Sequence, residues 1–197
     1  MAVAARSFQG RKSQMTLVVL TEEESMQITL QNLLPRLGVN DFQIISFQGV
    51  SDLESSLARR VRAWRDPTAR FLVIRDNDNG DCLRRKKRLL YFLDQAGTQR
   101  PFKVRIVLQE LEAWFLGDLA ALTKAGLLKD GRIRAKFRKN PEEHRKPEIL
   151  LKELDRTYQK TSGAKRIAPH LSLSENTASS FHATLAAIRD LAESDGA

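Results

Sequence analysis

The chain has 197 residues, of which 42% are hydrophobic and 29% are charged. These proportions are typical of a folded globular protein and exclude wholesale disorder. Lys and Arg number 33 against 24 Asp and Glu, a net charge of +9 that favours phosphate-bearing partners over cationic ones. The single cysteine, Cys82, excludes an internal disulfide and a cysteine-rich zinc site, as expected in a reducing compartment.

The first 14 residues predict a loose basic lead-in, because they carry Arg6, Arg11 and Lys12 but lack the apolar core of a signal peptide. Met15 is an alternative natural start. No apolar run approaches the roughly 18 residues that a membrane span needs. We therefore expect a cytoplasmic protein that does not associate with membranes.

Apolar runs alternate with amphipathic segments over residues 15–125. Strands are predicted at 15–20, 42–47, 70–75 and 102–108, and the apolar runs of the first and third indicate burial on both faces. Helices are predicted at 22–34, from a capping box at 51–54 to just before Pro67, and at 82–95. Such alternation implies β-α-β crossovers, so the predicted core is α/β, a parallel four-stranded sheet between helices.

Residues 126–197 predict a basic and helical C-terminal elaboration that packs on this core. A basic stretch runs through Lys139, and helices are predicted at 147–158 and 179–191. A loop containing Lys160, Gly163, Lys165 and Arg166 is predicted between these helices.

Acidic residues follow three of the predicted strands. Glu22 follows the first strand, Asp76 and Asp78 the third, and Glu110 and Glu112 the fourth. Ligands of open parallel sheets bind outside the carboxyl ends of the strands. Two carboxylates about 4 Å apart repel by roughly 4 kcal/mol at an effective dielectric constant of 20, so such a group needs a proton or a cation.

Mg²⁺ suits this supply of carboxylates, since it binds one or two of them and retains water and phosphate oxygens. Mn²⁺ is the alternative ion. We expect Asp76 and Asp78 to be ligands and, if the strand continues, to share one side about 6.6 Å apart. The alternative is that these acids form a loop and a helix cap, which is our interpretation of Asp81. Glu22 is either a member of the site or, like Glu23 and Glu24, part of a solvated first helical turn.

Glu110 and Glu112 share one side only if the fourth strand continues through them. Glu110 is the expected metal ligand because it comes first after the apolar strand. Glu112 is a possible further member of the site and suits the first turn of the following helix. Alternatively, both cap this helix or pair with neighbouring arginines.

Three stretches carry a family resemblance: Leu17 to Glu22, Val73 to Asp78, and Gln109 to Asp118 with its Glu-x-Glu-Ala-Trp sequence. With them, the chain resembles a Toprim-like bacterial domain family of unknown function, related to the nuclease domains of overcoming-lysogenization-defect (OLD) proteins. The resemblance implies a Toprim-like (Rossmann-like) fold and Mg²⁺-dependent phosphoryl transfer, in which Glu22 is the general acid or base and Asp76 and Asp78 hold metal. It also implies that Lys160, Lys165 and Arg166 reach the substrate phosphate.

Two basic segments are candidates for contacting a phosphate backbone: Arg84 to Arg88, and the alternating Arg132, Arg134, Lys136 and Arg138. The alternative is that they are solvated surface. The leading hypothesis is therefore an Mg²⁺-dependent nuclease or related phosphoryl-transfer enzyme whose partner is nucleic acid.

A catalytically decayed component that binds nucleic acid or a partner is the main alternative, because Toprim domains usually place glycine where this chain has Glu23. Such a partner is another protein or a second copy of the chain. A receiver-like signalling domain with Asp76 as phosphoacceptor is a weaker alternative.

Overall fold

A computed structural model describes residues 15–129, 137 and 139–193 of the protein. The predicted lead-in and the basic residues Arg132, Arg134, Lys136 and Arg138 lie outside the described residues. No helix in the described part of the chain has the length and hydropathy required to cross a membrane.

Four parallel strands form one sheet in the order β2-β1-β3-β4. They are β1 (Leu17–Thr21), β2 (Phe42–Ser46), β3 (Arg70–Asp76) and β4 (Phe102–Val107). Every residue of β1 is buried, as are all but the first of β3, because helices cover both faces of these central strands. The predicted α/β fold, with its Rossmann-like parallel sheet, is confirmed.

Long helices cover the two faces of the sheet. The first face packs on α1 (Glu24–Leu33) and α8 (Ser179–Glu193), through Leu17, Val19, Leu72 and Ile74 of the central strands. The second face packs on α2 (Val50–Ala63) and α3 (Cys82–Gln95), through Val18, Leu20, Phe71 and Val73. Successive side chains of a strand point to opposite faces, so each central strand supplies both layers.

The remaining helices are short. They are α4 (Glu112–Leu116), α5 (Leu119–Lys124), α6 (Pro147–Leu154) and α7 (Lys160–Ile167), with 3₁₀ turns at Pro35–Leu37, Pro141–Glu143 and Ala168–His170. Residues on both sides of the predicted boundary at 125/126 share one hydrophobic cluster with the first face of the sheet.

The predicted loop around Lys160, Lys165 and Arg166 is wrong, because these residues form α7. Gly163 suggested a loop, but it is a packing residue: a Cβ there would lie 2.1 Å from a ring carbon of Tyr158. The preceding helix also ends earlier than predicted, at Leu154, because the side chain of Asp155 accepts hydrogen bonds from the backbone N–H and the hydroxyl of Thr157.

The predicted capping box at the start of α2 is likewise wrong. Gly49, with φ of 92°, occupies the cap position, and Asp52 accepts a hydrogen bond from the backbone N–H of Gln48. Glu54, the expected partner of the cap, is buried and instead pairs with Arg75 and Arg88. Glu54 has the spacing from Ser51 that is typical of a capping box, but its ion pairs with distant arginines replace the capping hydrogen bond.

Trp114 holds α4 against the start of α8. Its indole N–H donates to Ser180 Oγ at 2.8 Å, and its carbonyl oxygen accepts from Asn176 Nδ2 at 2.8 Å. Its ring contacts that of Phe181 edge to face at 5.3 Å. Asn176 Oδ1 also accepts from the backbone N–H of Ala178 at 2.9 Å, so one amide side chain joins α4 to the start of α8.

We expect Asn176→Ala to lower the free energy of unfolding by about 2–3 kcal/mol, because it leaves buried groups at Trp114 and Ala178 without partners. Glu175→Ala, an exposed neighbour, is the matched control. Denaturant unfolding followed by circular dichroism measures both variants. Equal midpoints for the two would show that this amide does not hold α8 to α4.

Candidate functional site

The ends of β1, β3 and β4 bring five acidic residues together at the carboxyl edge of the sheet. We call Glu22, Asp76, Asp78, Glu110 and Glu112 the carboxylate cluster. The loops after β3 and β4 are joined by backbone hydrogen bonds, from the N–H of Asn77 to the carbonyl of Val107 and from that of Asp78 to the carbonyl of Gln109, each 2.9 Å. The parallel topology therefore brings the strand ends together as expected.

Asp76, the last residue of β3, lies at the centre of this edge. Its side chain is buried, and Oδ2 accepts a hydrogen bond from the backbone N–H of Leu111 at 3.3 Å. Burial first, and then the negative charges of Glu112, Glu23 and Glu22, raise the pKa of Asp76 well above its ordinary value. Its ionised form therefore depends on a nearby cation.

Asp78 does not continue the strand. Asp78 and Asn79 have φ of 43° and 58°, and the N–H of Gly80 donates to the carbonyl of Asn77 at 2.8 Å, so β3 turns sharply after Asp76. The expected extended geometry, with Asp76 and Asp78 on one side, is therefore wrong. The predicted helix cap is confirmed, because Asp81 accepts from the backbone N–H of Arg84 at 3.0 Å.

Arg75 places a buried positive charge beside the cluster. Its guanidinium lies 3.8 Å from Glu22 Oε2, 3.8 Å from Asp78 Oδ2 and 3.2 Å from Glu54 Oε1. Its side chain is only 3% exposed. Glu54 also pairs with Arg88 at 2.6 Å. The sequence analysis did not assign Arg75 or Glu54 to the site. The position of Arg75, directly after the apolar residues of β3, was a signal, because a buried arginine needs acidic partners.

Lys160, at the start of α7, supplies the second positive charge. Its ammonium lies 3.1 Å from both carboxylate oxygens of Glu23. Burial lowers the pKa of Lys160, but the charges of Glu112, Glu23 and Asp76 outweigh this effect and raise it above its ordinary value. The side chain therefore stays protonated at neutral pH.

Lys160 in turn lowers the pKa of four cluster carboxyl groups, those of Glu22, Asp76, Glu110 and Glu112. The other two predicted phosphate-binding residues lie at the opposite end of α7. Arg166 pairs with Asp155 at 2.6 Å and with the carbonyl oxygen of Ala125, and Lys165 is exposed. Of the three basic residues, the structure thus brings Lys160 to the cluster.

Glu110 and Glu112 separate as expected for a helix that begins at Glu112. Glu112 is fully buried and its Oε1 accepts from the Tyr158 hydroxyl at 2.9 Å, and burial raises its pKa to about 7. Glu110 is half-buried and its Oε2 accepts from the backbone N–H of Glu148 at the start of α6, at 3.3 Å. Burial is also the main cause that raises the pKa of Glu110. Tyr158 is a further residue that sequence reasoning did not assign to the site.

The carboxylate cluster has the donor chemistry of a site for a hard divalent cation. Glu22 Oε2 and Glu112 Oε2 are buried without a hydrogen-bond partner. A cavity of about 10 Å³, whose charged lining residues are Glu22, Glu23, Asp76 and Arg75, is large enough for about one water-sized particle. Within the described ranges, however, no three His, Cys, Asp or Glu side chains are grouped closely enough to hold one ion. Carboxylate oxygens are therefore the right type of ligand for Mg²⁺. For three of them to bind one ion, their side chains would have to rotate away from Arg75, Lys160 and their other partners.

Fold and site together define an α/β protein with a partly buried carboxylate cluster, Arg75 and Lys160 at the carboxyl edge of a parallel sheet. The chain belongs to the family described as a domain of unknown function, DUF4276, which matches residues 21–189. The predicted membership of a family of unknown function is thereby confirmed. None of the curated proteins is significantly similar to the chain in sequence.

The fold is similar to that of the C-terminal region of the OLD protein of Xanthomonas campestris pv. campestris. The TM-score is 0.54 and the sequence identity 16%, over 88% of this chain and 94% of that one. At this identity the similarity shows the fold alone. The expected likeness to an OLD protein is therefore confirmed at the level of fold.

We expect the stability of the metal-free protein to fall between about pH 5 and 8. Burial raises the pKa of both Glu22 and Glu112 from 4.5 to about 7, so both groups bind a proton more tightly in the folded chain than in the unfolded one. Their contribution to stability is full below pH 4.5 and is lost as the pH rises through about 7. Melting temperatures in EDTA across this range measure the effect, and Glu112→Gln should make the dependence shallower. Melting temperatures that stay level or rise with pH would contradict the assigned shifts.

Proposed function

We propose that the chain is a Toprim-like, Mg²⁺-dependent phosphoryl-transfer enzyme that cleaves phosphodiester bonds of nucleic acid. The observation that carries this proposal is the partly buried carboxylate cluster, four of whose members feel the positive charge of Lys160. Buried acids with raised pKa values, grouped at the edge where open α/β sheets bind ligands, are typical of functional sites. The net charge of +9 suits a polyanionic substrate.

Asp76 and Asp78 would hold the metal ion, with Glu110 or Glu112 from the loop after β4. Mg²⁺ suits these hard oxygen ligands, and Mn²⁺ is the alternative. When bound, such an ion neutralises negative charge on phosphate oxygens and activates water. The raised pKa of Asp76 is consistent with this role, since the charge of Lys160 does not offset burial and the neighbouring acids and a further cation would favour the ionised form.

Glu22 is suited to move a proton near neutral pH. Its pKa of about 7 lies close to the working pH, the condition under which general acid-base catalysis is most effective. Glu22 would accept a proton from the attacking water or donate one to the leaving oxygen. Lys160 would donate a hydrogen bond to a non-bridging phosphate oxygen, releasing Glu23, and so stabilise charge that develops in the transition state.

The double variant Asp76→Asn, Asp78→Asn should lower Mg²⁺-dependent cleavage of DNA or RNA by about 100-fold or more, because it removes ligand charge. Labelled single-stranded and duplex substrates, assayed with Mg²⁺, Mn²⁺ or EDTA, measure this loss. Glu24→Gln is the matched control, since Glu24 is an exposed acid in the first turn of α1. Cleavage that survives the double substitution would remove both aspartates from the mechanism.

Glu110→Gln and Glu112→Gln should differ in their effect on Mg²⁺ affinity, measured by isothermal titration calorimetry. We expect the larger loss for Glu112→Gln, because Glu112 Oε2 is buried without a partner, whereas Glu110 Oε2 is engaged with the N-terminus of α6. A larger loss for Glu110→Gln would support the ligand assigned from the sequence. Unchanged affinity for both would remove the loop after β4 from the metal site.

A second candidate is a nucleic-acid-binding component without catalytic activity. Two observations favour it: Arg75 already neutralises Glu22 and Asp78, and Glu23 engages Lys160. In this case the wild-type chain would bind nucleic acid but not cleave it with either metal ion. Glu23→Gly, which releases Lys160, would then leave cleavage undetectable as well.

A further inference from the structure

The outer face of α3 exposes large side chains next to the carboxylate cluster. Leu83 is 70% exposed and Tyr91 59% exposed, whereas nearly all large hydrophobic side chains in the described ranges are covered. Arg84, Lys87 and Arg88 are exposed on the same helix. Residues three and four positions apart lie on one face of a helix, so these five residues form a continuous basic and apolar stripe, which we call the α3 stripe.

An arginine-lined cleft of about 400 Å³ lies at the start of this stripe. Arg84, Arg85 and Arg88 of α3 line it together with Arg75, the buried residue that contacts Glu22. Gly80 lies at its edge, where the guanidinium group of Arg85 packs over the glycine Cα. Arg75 therefore lies between the cleft and Glu22, the group that we propose as general acid or base.

The acidic residues around the cleft equal its arginines in number and leave an excess of positive charge on the stripe. Glu54 pairs with Arg75 and Arg88, Asp78 lies 3.5 Å from Arg85 Nη1, and Asp81 is used to cap α3. Glu22 also lies 3.8 Å from Arg75, so four guanidinium groups face four carboxylates, and Lys87 adds a further positive charge on the stripe. Guanidinium groups bind phosphate oxygens through paired hydrogen bonds, so a phosphate group is the ligand that this cleft suits.

Tyr91 extends the surface beyond phosphate recognition. It lies two helical turns beyond Arg84, with Arg88 between them, and its ring is mostly exposed. An exposed aromatic ring among arginines offers a stacking surface for a nucleobase, whose faces are accessible only when the base is unpaired. Tyr91 therefore adds a surface for base contacts to the phosphate contacts expected of Arg84 to Arg88.

We propose that the α3 stripe and the arginine cleft bind an unpaired nucleic-acid strand, with a backbone phosphate in the cleft and a base stacked on Tyr91. This rests on the proposed function in that the strand is taken to lead into the carboxylate cluster. It adds that unpaired strands are the preferred substrate class. Arg75, which contacts both the cleft and Glu22, is the point at which the binding surface meets the site.

Fluorescence anisotropy with a labelled single-stranded oligonucleotide and its duplex, in EDTA, tests binding apart from cleavage. Tyr91→Ala should weaken single-strand binding by about 5- to 100-fold and duplex binding much less, whereas Tyr91→Phe should bind both as the wild type does. Arg84→Gln should weaken both and reduce the slope of log affinity against log salt by about one. Arg189→Gln, an exposed residue of α8 on the opposite face of the sheet, is the matched control.

The inference is overturned if the wild type does not bind the single strand, or if Tyr91→Ala and Arg84→Gln bind it as Arg189→Gln does. It is also overturned if light scattering shows that the chain self-associates and Tyr91→Ala abolishes only that association. Cleavage with Mg²⁺ is assayed separately. Binding that depends on Tyr91, without cleavage, would support the α3 surface and reject the proposed enzyme. Cleavage together with binding that does not depend on Tyr91 would support the enzyme and reject the α3 surface.

Discussion

The repulsion among acidic side chains gathered at one edge of a parallel sheet is the constraint on which the surrounding structure depends. Burial removes the water that would otherwise screen these charges, and it is the first cause of the raised pKa of Glu22, Asp76, Glu110 and Glu112. The fold meets this constraint with two internal cations, Arg75 and Lys160. Each cation reaches the edge from a different layer of the protein.

The alternation of side chains along β3 explains this division. Arg75 and Asp76 are adjacent in sequence and so point to opposite faces. Arg75 extends toward the layer of α2 and α3, where Glu54 and Arg88 complete its ion pairs. On the other face, Asp76 lies under the influence of Glu112 and Lys160, which α4 and α7 supply. A change of charge in either helical layer therefore alters the electrostatic environment at the end of β3.

Much of the architecture could be predicted because it follows from patterns within short stretches of sequence. Continuous apolar runs specified buried strands, and their alternation with helices specified the parallel sheet and hence the strand edge at which Glu22 and Asp76 meet. The features that were not predicted depend on contacts between distant residues. Gly163 lies in a helix because Tyr158 packs against it, and Glu54 leaves its expected capping role because Arg75 and Arg88 are nearby. The left-handed backbone of Asp78 did have a local signal, because Asp and Asn tolerate positive φ and Asn79-Gly80 is typical of a turn.

The chain of ion pairs from Arg88 through Glu54 to Arg75 has a consequence for how sequences of this family diverge. Loss of Arg75 alone would leave Glu54 partly uncompensated in a buried position, and loss of Glu54 alone would leave an arginine buried beside its weaker partners. Substitutions at positions 54, 75 and 88 are therefore coupled, and lineages should keep the set or replace it together. Coordinated replacement at these positions would distinguish branches that neutralise the strand edge internally from branches that leave it open to other cations.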